Sequence, residues 1–169
     1  MRTSQLSRLF VAMIAVALPA CHCIDVPASD STNPRASLLV TFTDPDQAGM
    51  VSQQVDASSS SLAPPPNLRL PNGWPIQVIY SGHDAGGVKT LRIDLDYLDP
   101  TTFYNADGTI SSILIAGPAV PDGDFSDCAM ESRVLSFDWT ISGHWNLKVT
   151  AIDFHGNAAT TATINLGEE

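Results

Sequence analysis

Apolar and polar residues alternate in several short segments of the chain beyond residue 36, with a period of two residues. Residues 91–97 show the pattern best, because Leu91, Ile93 and Leu95 alternate with polar or charged side chains. A period of two predicts a β-strand with one buried face. The same alternation occurs at residues 37–43, 76–80, 135–139, 145–151 and 162–166. Beyond residue 20, no segment keeps a helical period over three turns, so this part of the chain is predicted to be all-β.

Turn-forming residues separate these predicted strands. Residues 82–87 (Gly-His-Asp-Ala-Gly-Gly) follow one strand, and Asp107-Gly108 lies between residues 101–104 and 109–115 as a hairpin signal. About seven short strands with turns between them predict a single antiparallel β-sandwich over residues 37–169.

Two stretches lack the strand pattern. Residues 21–36 are polar with two prolines and are predicted to form a flexible tether. Residues 44–75 contain a serine run and three consecutive prolines, which predict a flexible insertion in the sandwich.

The first twenty residues are typical of an export signal. Arg2 and Arg8 give a positive start, and residues 9–18 form an uncharged apolar run. Ten residues span about 15 Å as a helix, which is too short to cross a hydrocarbon core of about 30 Å. Residues 1–20 are therefore predicted to be a signal peptide.

Leu18-Pro19-Ala20-Cys21 resembles the lipobox of bacterial lipoproteins. This resemblance implies that Cys21 becomes the N-terminus and carries acyl chains of the palmitate type, which anchor the protein in a membrane. His22, rather than an aspartate, implies sorting to the outer membrane by the same resemblance. The alternative is ordinary cleavage after Ala20, which would leave a soluble secreted domain.

Acylation of Cys21 would leave Cys23 and Cys128 in an oxidising compartment. A disulfide between Cys23 and Cys128 would attach the tether to the domain. Two free thiols or an intermolecular bridge are the alternatives.

The charge of the chain bears on its partners. The sequence has 8 basic and 18 acidic residues, for a formal charge of −10. Loss of residues 1–20 removes Arg2 and Arg8 and no acidic residue, so this charge falls to −12. The basic residues are scattered singly, which argues against binding to nucleic acid and against electrostatic binding to anionic lipid.

The end of the chain resembles a known domain type. Residues 145–157 (WNLKVTAIDFHGN), followed by residues 158–166, are similar to the last two strands of bacterial Ig-like domains. Residues 76–95 are similar to the second and third strands of such domains. The resemblance implies an Ig-like sandwich, a class whose pattern is shared by cadherin-like and fibronectin type III-like domains, and it implies little about function.

In a sandwich of this type, the turns after the second and the sixth strand lie at the same end. Those turns carry His83 and Asp84 in one case and Asp153 and His155 in the other, which are side chains that bind divalent metals. The alternative is two independent turns in which Asp153 accepts backbone N–H bonds as a brace. Two further acidic clusters offer oxygen ligands for calcium, at residues 44–46 and 122–127.

Motifs for catalysis are missing from the sequence. It contains no GxSxG elbow and no HExxH motif, and no glycine-rich phosphate loop, so the protein is predicted not to be an enzyme. Trp139 and Trp145 fall at apolar positions of predicted strands, which favours core packing. Trp74 is flanked by Gly73 and Pro75 and is a candidate for stacking on a carbohydrate ligand.

These patterns predict a non-catalytic lipoprotein of the bacterial cell envelope, tethered to the membrane and acting on an envelope protein or glycan. One alternative is a surface-exposed adhesin-like module that binds carbohydrate or an extracellular protein. Another is a module stabilised by calcium, and no other cofactor is expected.

Overall fold

Eleven β-strands and no helix form the regular structure of the described residues. The computed structural model describes residues 23–43, 52–60, 67–71, 73–98, 101–104, 110–113 and 117–168. The strands are β1 (Arg35–Thr43), β2 (Ser52–Ser58), β3 (Asn67–Leu70), β4 (Pro75–His83), β5 (Val88–Tyr97), β6 (Thr101–Tyr104), β7 (Ile110–Ile113), β8 (Ser132–Thr140), β9 (Trp145–Asp153), β10 (Ala158–Thr160) and β11 (Ile164–Glu168). No segment within these ranges forms a helix long and apolar enough to cross a membrane. The predicted all-β class is confirmed.

The first sheet has the strand order β2-β1-β4-β8, and every pairing in it is antiparallel. Val40 of β1 lies opposite Val78 of β4, which in turn lies opposite Phe137 of β8. All three side chains are buried. The sequence alternation therefore turns one face of this sheet toward the core and the other toward solvent.

The second sheet is organised around β9. β5 pairs with one side of β9, while β10 and β11 pair with the two ends of its other side. Every second residue of β9, from Trp145 to Asp153, is buried, because this central strand is covered by the first sheet. β3 completes the sheet by pairing with β11 in parallel, so the predicted fully antiparallel arrangement is corrected at this edge.

The core lies between the two sheets and includes an aromatic group at one end. The ring of Trp145 lies 4.8 Å from that of Tyr97 and 5.1 Å from that of Trp139, centroid to centroid. The Nε1 group of Trp145 donates to the carbonyl of Ser142 at 2.7 Å, so burial leaves no unpaired donor on this ring. The core role predicted for Trp139 and Trp145 is confirmed.

The predicted flexible insertion at residues 44–75 is corrected by two strands within it. β2 pairs with β1 over seven residue pairs, and β3 pairs with β11. A polar edge strand such as β2 gains its hydrogen bonds from a neighbour, so it needs no apolar alternation of its own. Residues 44–51, 61–66 and 72 lie outside the described residues.

The strand count also exceeds the predicted seven. The six alternating segments of the sequence correspond to β1, β4, β5, β8, β9 and β11, and the predicted hairpin corresponds to β6 and β7. The strands that the sequence did not predict are β2, β3 and the short β10. The hairpin itself was predicted from Asp107-Gly108, and the pairing of β6 with β7 confirms it.

Candidate functional site

A disulfide bond joins Cys23 to Cys128 at one end of the sandwich. Their Cα atoms are 5.2 Å apart, across a sequence separation of 105 residues. Next to the bond, the N–H group of Ile24 donates to the carbonyl of Ala129 at 2.8 Å. The start of the described chain is therefore fixed to the loop that precedes β8.

The segment from Cys23 to Pro34, here called the N-terminal segment, lies against the sandwich. Pro34 is buried, and the carbonyl of Asp30 accepts a hydrogen bond from Nδ2 of Asn157 at 3.0 Å. The predicted tether at 21–36 is corrected accordingly, because Arg35 and Ala36 already belong to β1. The contacts that hold this segment are long-range in sequence, so its composition did not reveal them.

The β9–β10 turn at this end is built on the carboxylate of Asp153, which is 1% exposed. Its Oδ1 atom accepts hydrogen bonds from the backbone N–H groups of His155 and Asn157, both at 2.8 Å. Its Oδ2 atom accepts one from Nδ2 of Asn157 at 2.7 Å. The bracing role that the sequence predicted for Asp153 is confirmed.

The β4–β5 turn at the same end is built on Asp84, which is 4% exposed. Its Oδ1 atom accepts a hydrogen bond from the N–H group of Gly86 at 2.7 Å. Burial raises the pKa of the Asp84 carboxyl group, and the nearby negative charges of Asp30 and Asp153 raise it further. A Cβ atom on Gly86 would lie 2.7 Å from Oδ2 of Asp30, so this glycine leaves room for the N-terminal segment.

Asp30, Asp153 and His155 bring one potential ligand atom each within 4.8 Å of one another. Two carboxylates and an imidazole form a donor set that suits a divalent metal ion. Asp30 also accepts hydrogen bonds from the N–H and hydroxyl groups of Thr32, which lower the pKa of its carboxyl group.

The structure therefore brings together only part of the predicted metal set of His83, Asp84, Asp153 and His155. Asp153 and His155 lie together, and Asp84 is close enough to interact with Asp153 electrostatically. His83 is not a member of the group. It is exposed, and its Nδ1 atom pairs with the hydroxyl of Ser132 at 2.9 Å. Asp30 was missed, since it lies in a segment whose spacing gives no sign of where it packs.

The predicted calcium ligands at residues 122–127 do not form a comparable group within the described ranges. Oδ1 of Asp122 accepts from the N–H group of Asp124, and Oδ1 of Asp124 accepts from that of Ser126. These carboxylates therefore cap their own turn. The other predicted cluster, at residues 44–46, lies outside the described residues.

Trp74, the candidate for stacking on a carbohydrate ligand, is half-buried and packs against the core. Its backbone is held in the turn before β4, since its carbonyl accepts from the N–H group of Ile141 at 3.0 Å. Its Nε1 atom is buried and has no hydrogen-bond partner among the described residues.

Comparison with known proteins adds no family to this picture. No protein-family model matches the chain, and no curated protein shows a significant match to it. What the fold itself defines is an all-β sandwich with a disulfide-fixed N-terminal segment.

Proposed function

We propose that the protein is a non-catalytic, lipid-anchored Ig-like module of the bacterial cell envelope, which binds or supports an envelope partner. The observation that carries this proposal is the bond between Cys23 and Cys128. Disulfides persist in exported proteins and are rare in the cytosol, so the bond supports the interpretation of residues 1–20 as an export signal.

The position of the disulfide also supports a structural role for the anchor. Cys21, the proposed acylation site, is two residues before Cys23 in the sequence. Two residues span at most about 7 Å, so the acyl chains would hold the disulfide end of the sandwich at the membrane surface. The N-terminal segment would act as a mount, and the opposite end of the sandwich would point away from the lipid.

The strand pairing supports the Ig-like assignment. β1, β4 and β8 lie in one sheet, while β5, β9 and the β10–β11 strand lie in the other. This division of the strands into two packed sheets supports an Ig-like sandwich.

A pair of variants tests the anchor. Growth with labelled palmitate should label the wild-type protein and a Cys128→Ser variant, and both should fractionate with membranes. A Cys21→Ser variant should carry no label and should be recovered in the soluble fraction. Label on Cys21→Ser, or none on the wild type, would contradict the proposal.

Protease treatment of intact cells separates this proposal from the adhesin-like alternative. A domain that faces the periplasm survives such treatment until the outer membrane is opened. Digestion in intact cells would instead support a surface-exposed module, and the same Cys21→Ser control would show whether that exposure depends on the anchor.

A cation-stabilised module is the second candidate, favoured by the group of Asp30, Asp153 and His155. An ion there would join the N-terminal segment to the β9–β10 turn. Titration with calcium, magnesium or zinc should then raise the melting temperature of the wild-type protein by mass action, and EDTA should reverse it. A His155→Ala variant should lose the response and an Asp122→Asn control should keep it. A melting temperature unchanged by every ion would contradict this candidate.

A further inference from the structure

β8 forms an edge of the first sheet that is open in the described part of the chain. It pairs with β4 over nine residue pairs, from Ser132 opposite His83 to Thr140 opposite Pro75. The described residues place no strand on its other side. An open edge presents unpaired N–H and C=O groups, which can pair with another chain.

The hydrogen-bond pattern identifies which backbone groups of β8 point to this open side. The N–H group of Ser59 donates to the carbonyl of Ala36, so even-numbered residues of β1 point toward β2. Bonding direction alternates along a strand, so the odd-numbered residues of β1 bond to β4, where they lie opposite odd-numbered residues. The even-numbered residues of β4 therefore bond to β8, where they lie opposite odd-numbered residues. The residues whose backbone groups point to the open side are therefore Ser132, Val134, Ser136, Asp138 and Thr140.

These five residues make no other backbone hydrogen bond within the described ranges. Their side chains lie on the outer face and are all exposed, and Val134 leaves 64% of its surface accessible. The strand is regular, since its register with β4 has no bulge and its sequence contains neither lysine nor proline. A bulge and a proline, two devices that usually protect an edge strand, are therefore missing from β8, whose charged residues are Arg133 in the inner row and Asp138 in the outer row.

The β5 edge of the second sheet differs from β8, because it is protected by an irregular register and by a loop. The register of β5 shifts between Val88 and Thr90, and a loop covers the same region. In that loop, Gly123 accepts a hydrogen bond from the N–H group of Leu91, and Phe125 donates one to the carbonyl of Lys89. Within the described ranges, the chain thus covers part of the β5 edge and leaves the β8 edge open.

We propose that β8 binds an extended segment of an envelope partner protein by strand addition. Main-chain hydrogen bonds to the five open residues would supply affinity, and alternate side chains would supply specificity. On the inner face, Leu135 and Trp139 are only partly buried, so the added strand would place apolar side chains beside them.

The outer face of β8 indicates which charge the partner segment carries. Asp138 is the only charged side chain of the open row, on a chain with a formal charge of −10. It lines a recess of about 540 Å³ together with Thr41, Gln77 and Trp139. A lysine or arginine of the partner strand, directly opposite Asp138, would enter this recess. The partner segment is therefore one in which apolar residues alternate with polar ones, with a basic residue in the polar row.

A second copy of the chain fits this edge less well, an argument that rests on the proposed anchor. Two β8 strands related by a twofold axis pair antiparallel. Ser132 lies at the disulfide end of the strand and Thr140 at the other end. Self-pairing would separate the two N-terminal segments by about 30 Å along the strand direction, at about 3.4 Å per residue, and point them in opposite directions. Two acyl anchors in one membrane do not permit that arrangement.

Amide hydrogen exchange on the mature protein in detergent micelles tests the proposal. In the free protein, the amides of Val134, Ser136 and Asp138 should exchange rapidly, while those of Leu135 and Phe137 should be protected by β4. The probe is the peptide Thr-Val-Lys-Val-Thr-Val-Thr, which runs antiparallel to β8 with its lysine opposite Asp138. At a peptide concentration about ten times the dissociation constant, exchange at the three open amides should slow about tenfold.

Two controls isolate the main-chain bonds. The same peptide can carry N-methyl groups on its lysine and on the threonine two residues after it. This form lacks two N–H donors on the side that pairs with β8, so it should give no protection. A Ser136→Pro variant loses only an outward N–H group, so it should fold but not bind, whereas Ser136→Thr should bind as the wild type does.

Three results would overturn the proposal. One is that the amides of Val134, Ser136 and Asp138 are already protected from exchange in the free protein at all protein concentrations. Another is protection that rises with protein concentration, which would assign the edge to a second copy. The third is equal protection by the peptide and its N-methylated form. A Cys21 found without acyl chains would remove the argument against a second copy, but the peptide titration would still report on the edge itself.

Discussion

The side chains of Cys23 and Cys128 are bonded at the end of the sandwich where three separate parts of the chain meet. These parts are the N-terminal segment, the β4–β5 turn with Asp84, and the β9–β10 turn with Asp153. The disulfide therefore fixes the segment that follows Cys21, and any force on an anchor at Cys21 would pass directly into the folded domain.

Removal of this disulfide should strongly destabilise the protein. The bond closes a loop of about 105 residues, for which loss of loop entropy from the unfolded chain predicts about 4 to 5 kcal/mol. A Cys23→Ser/Cys128→Ser double variant should show this loss in urea-induced unfolding. The reduced wild-type protein is the matched control and should behave like the double variant. Identical unfolding midpoints for the oxidised protein and the double variant would contradict the prediction.

Truncation of Asp153 should be costly because its carboxylate has three hydrogen bonds in a buried turn. Asp153→Ala leaves backbone N–H groups without an acceptor and should reduce the free energy of unfolding by about 2 to 4 kcal/mol. Asp153→Asn retains one oxygen and should lose less. Urea titration in EDTA measures both values without a contribution from metal ions, and equal losses for the two variants would argue against the hydrogen-bond explanation.

Asp84 should make the fold less stable as the pH rises. Its pKa in the folded state lies above the ordinary value of 3.8, so the folded state binds the proton more tightly than the unfolded state does. The contribution of Asp84 therefore favours folding at low pH and is lost as the pH rises from that value through the raised pKa.

The Asp84→Asn variant isolates this contribution. It retains an acceptor for the N–H group of Gly86 and has no charge, so in EDTA at neutral pH it should be more stable than the wild type. The difference should shrink as the pH falls below about 4, because the carboxyl group then becomes protonated in the unfolded state as well as in the folded state. Urea unfolding across this range measures the difference, with Asp122→Asn as the exposed control. A difference that grows on acidification would contradict the sign.

Two glycines with left-handed backbones provide a matched pair for packing. Gly143 has a φ of 74°, and a Cβ atom there would lie 2.6 Å from Cε2 of Tyr97. Gly156 has a φ of 87° and no atom within 4 Å of the corresponding position. Both alanine variants incur backbone strain of about 1 kcal/mol. Gly143→Ala should lose an additional 1 to 3 kcal/mol, roughly, from overpacking beside Trp145. Equal melting temperatures for the two variants would contradict this difference.

The sequence predicted those parts of the fold whose side chains carry the information. The alternation in β9 was clear because this central strand buries every second residue, including Leu147 and Val149. The strand β2 was missed because its pairing with β1 is made by backbone groups, which leave little trace in composition.

The candidate site was predictable to the same limited extent. Asp153 was recognisable from its turn, because the residues that it braces are its sequence neighbours. Asp30 was not, because its place beside His155 depends on a disulfide and on a contact with Asn157 that span more than 100 residues. The packing of Trp74 against the core was not predictable for a similar reason, since it depends on residues far along the chain.

The intact mass of the N-terminal peptide of the mature protein, taken without reduction, tests the proposed anchor most directly. We expect a peptide that begins at Cys21, carries three acyl chains and is cross-linked through Cys23 to the peptide that contains Cys128. An unmodified N-terminus at Cys21 would contradict the anchored module and leave a soluble secreted domain in its place.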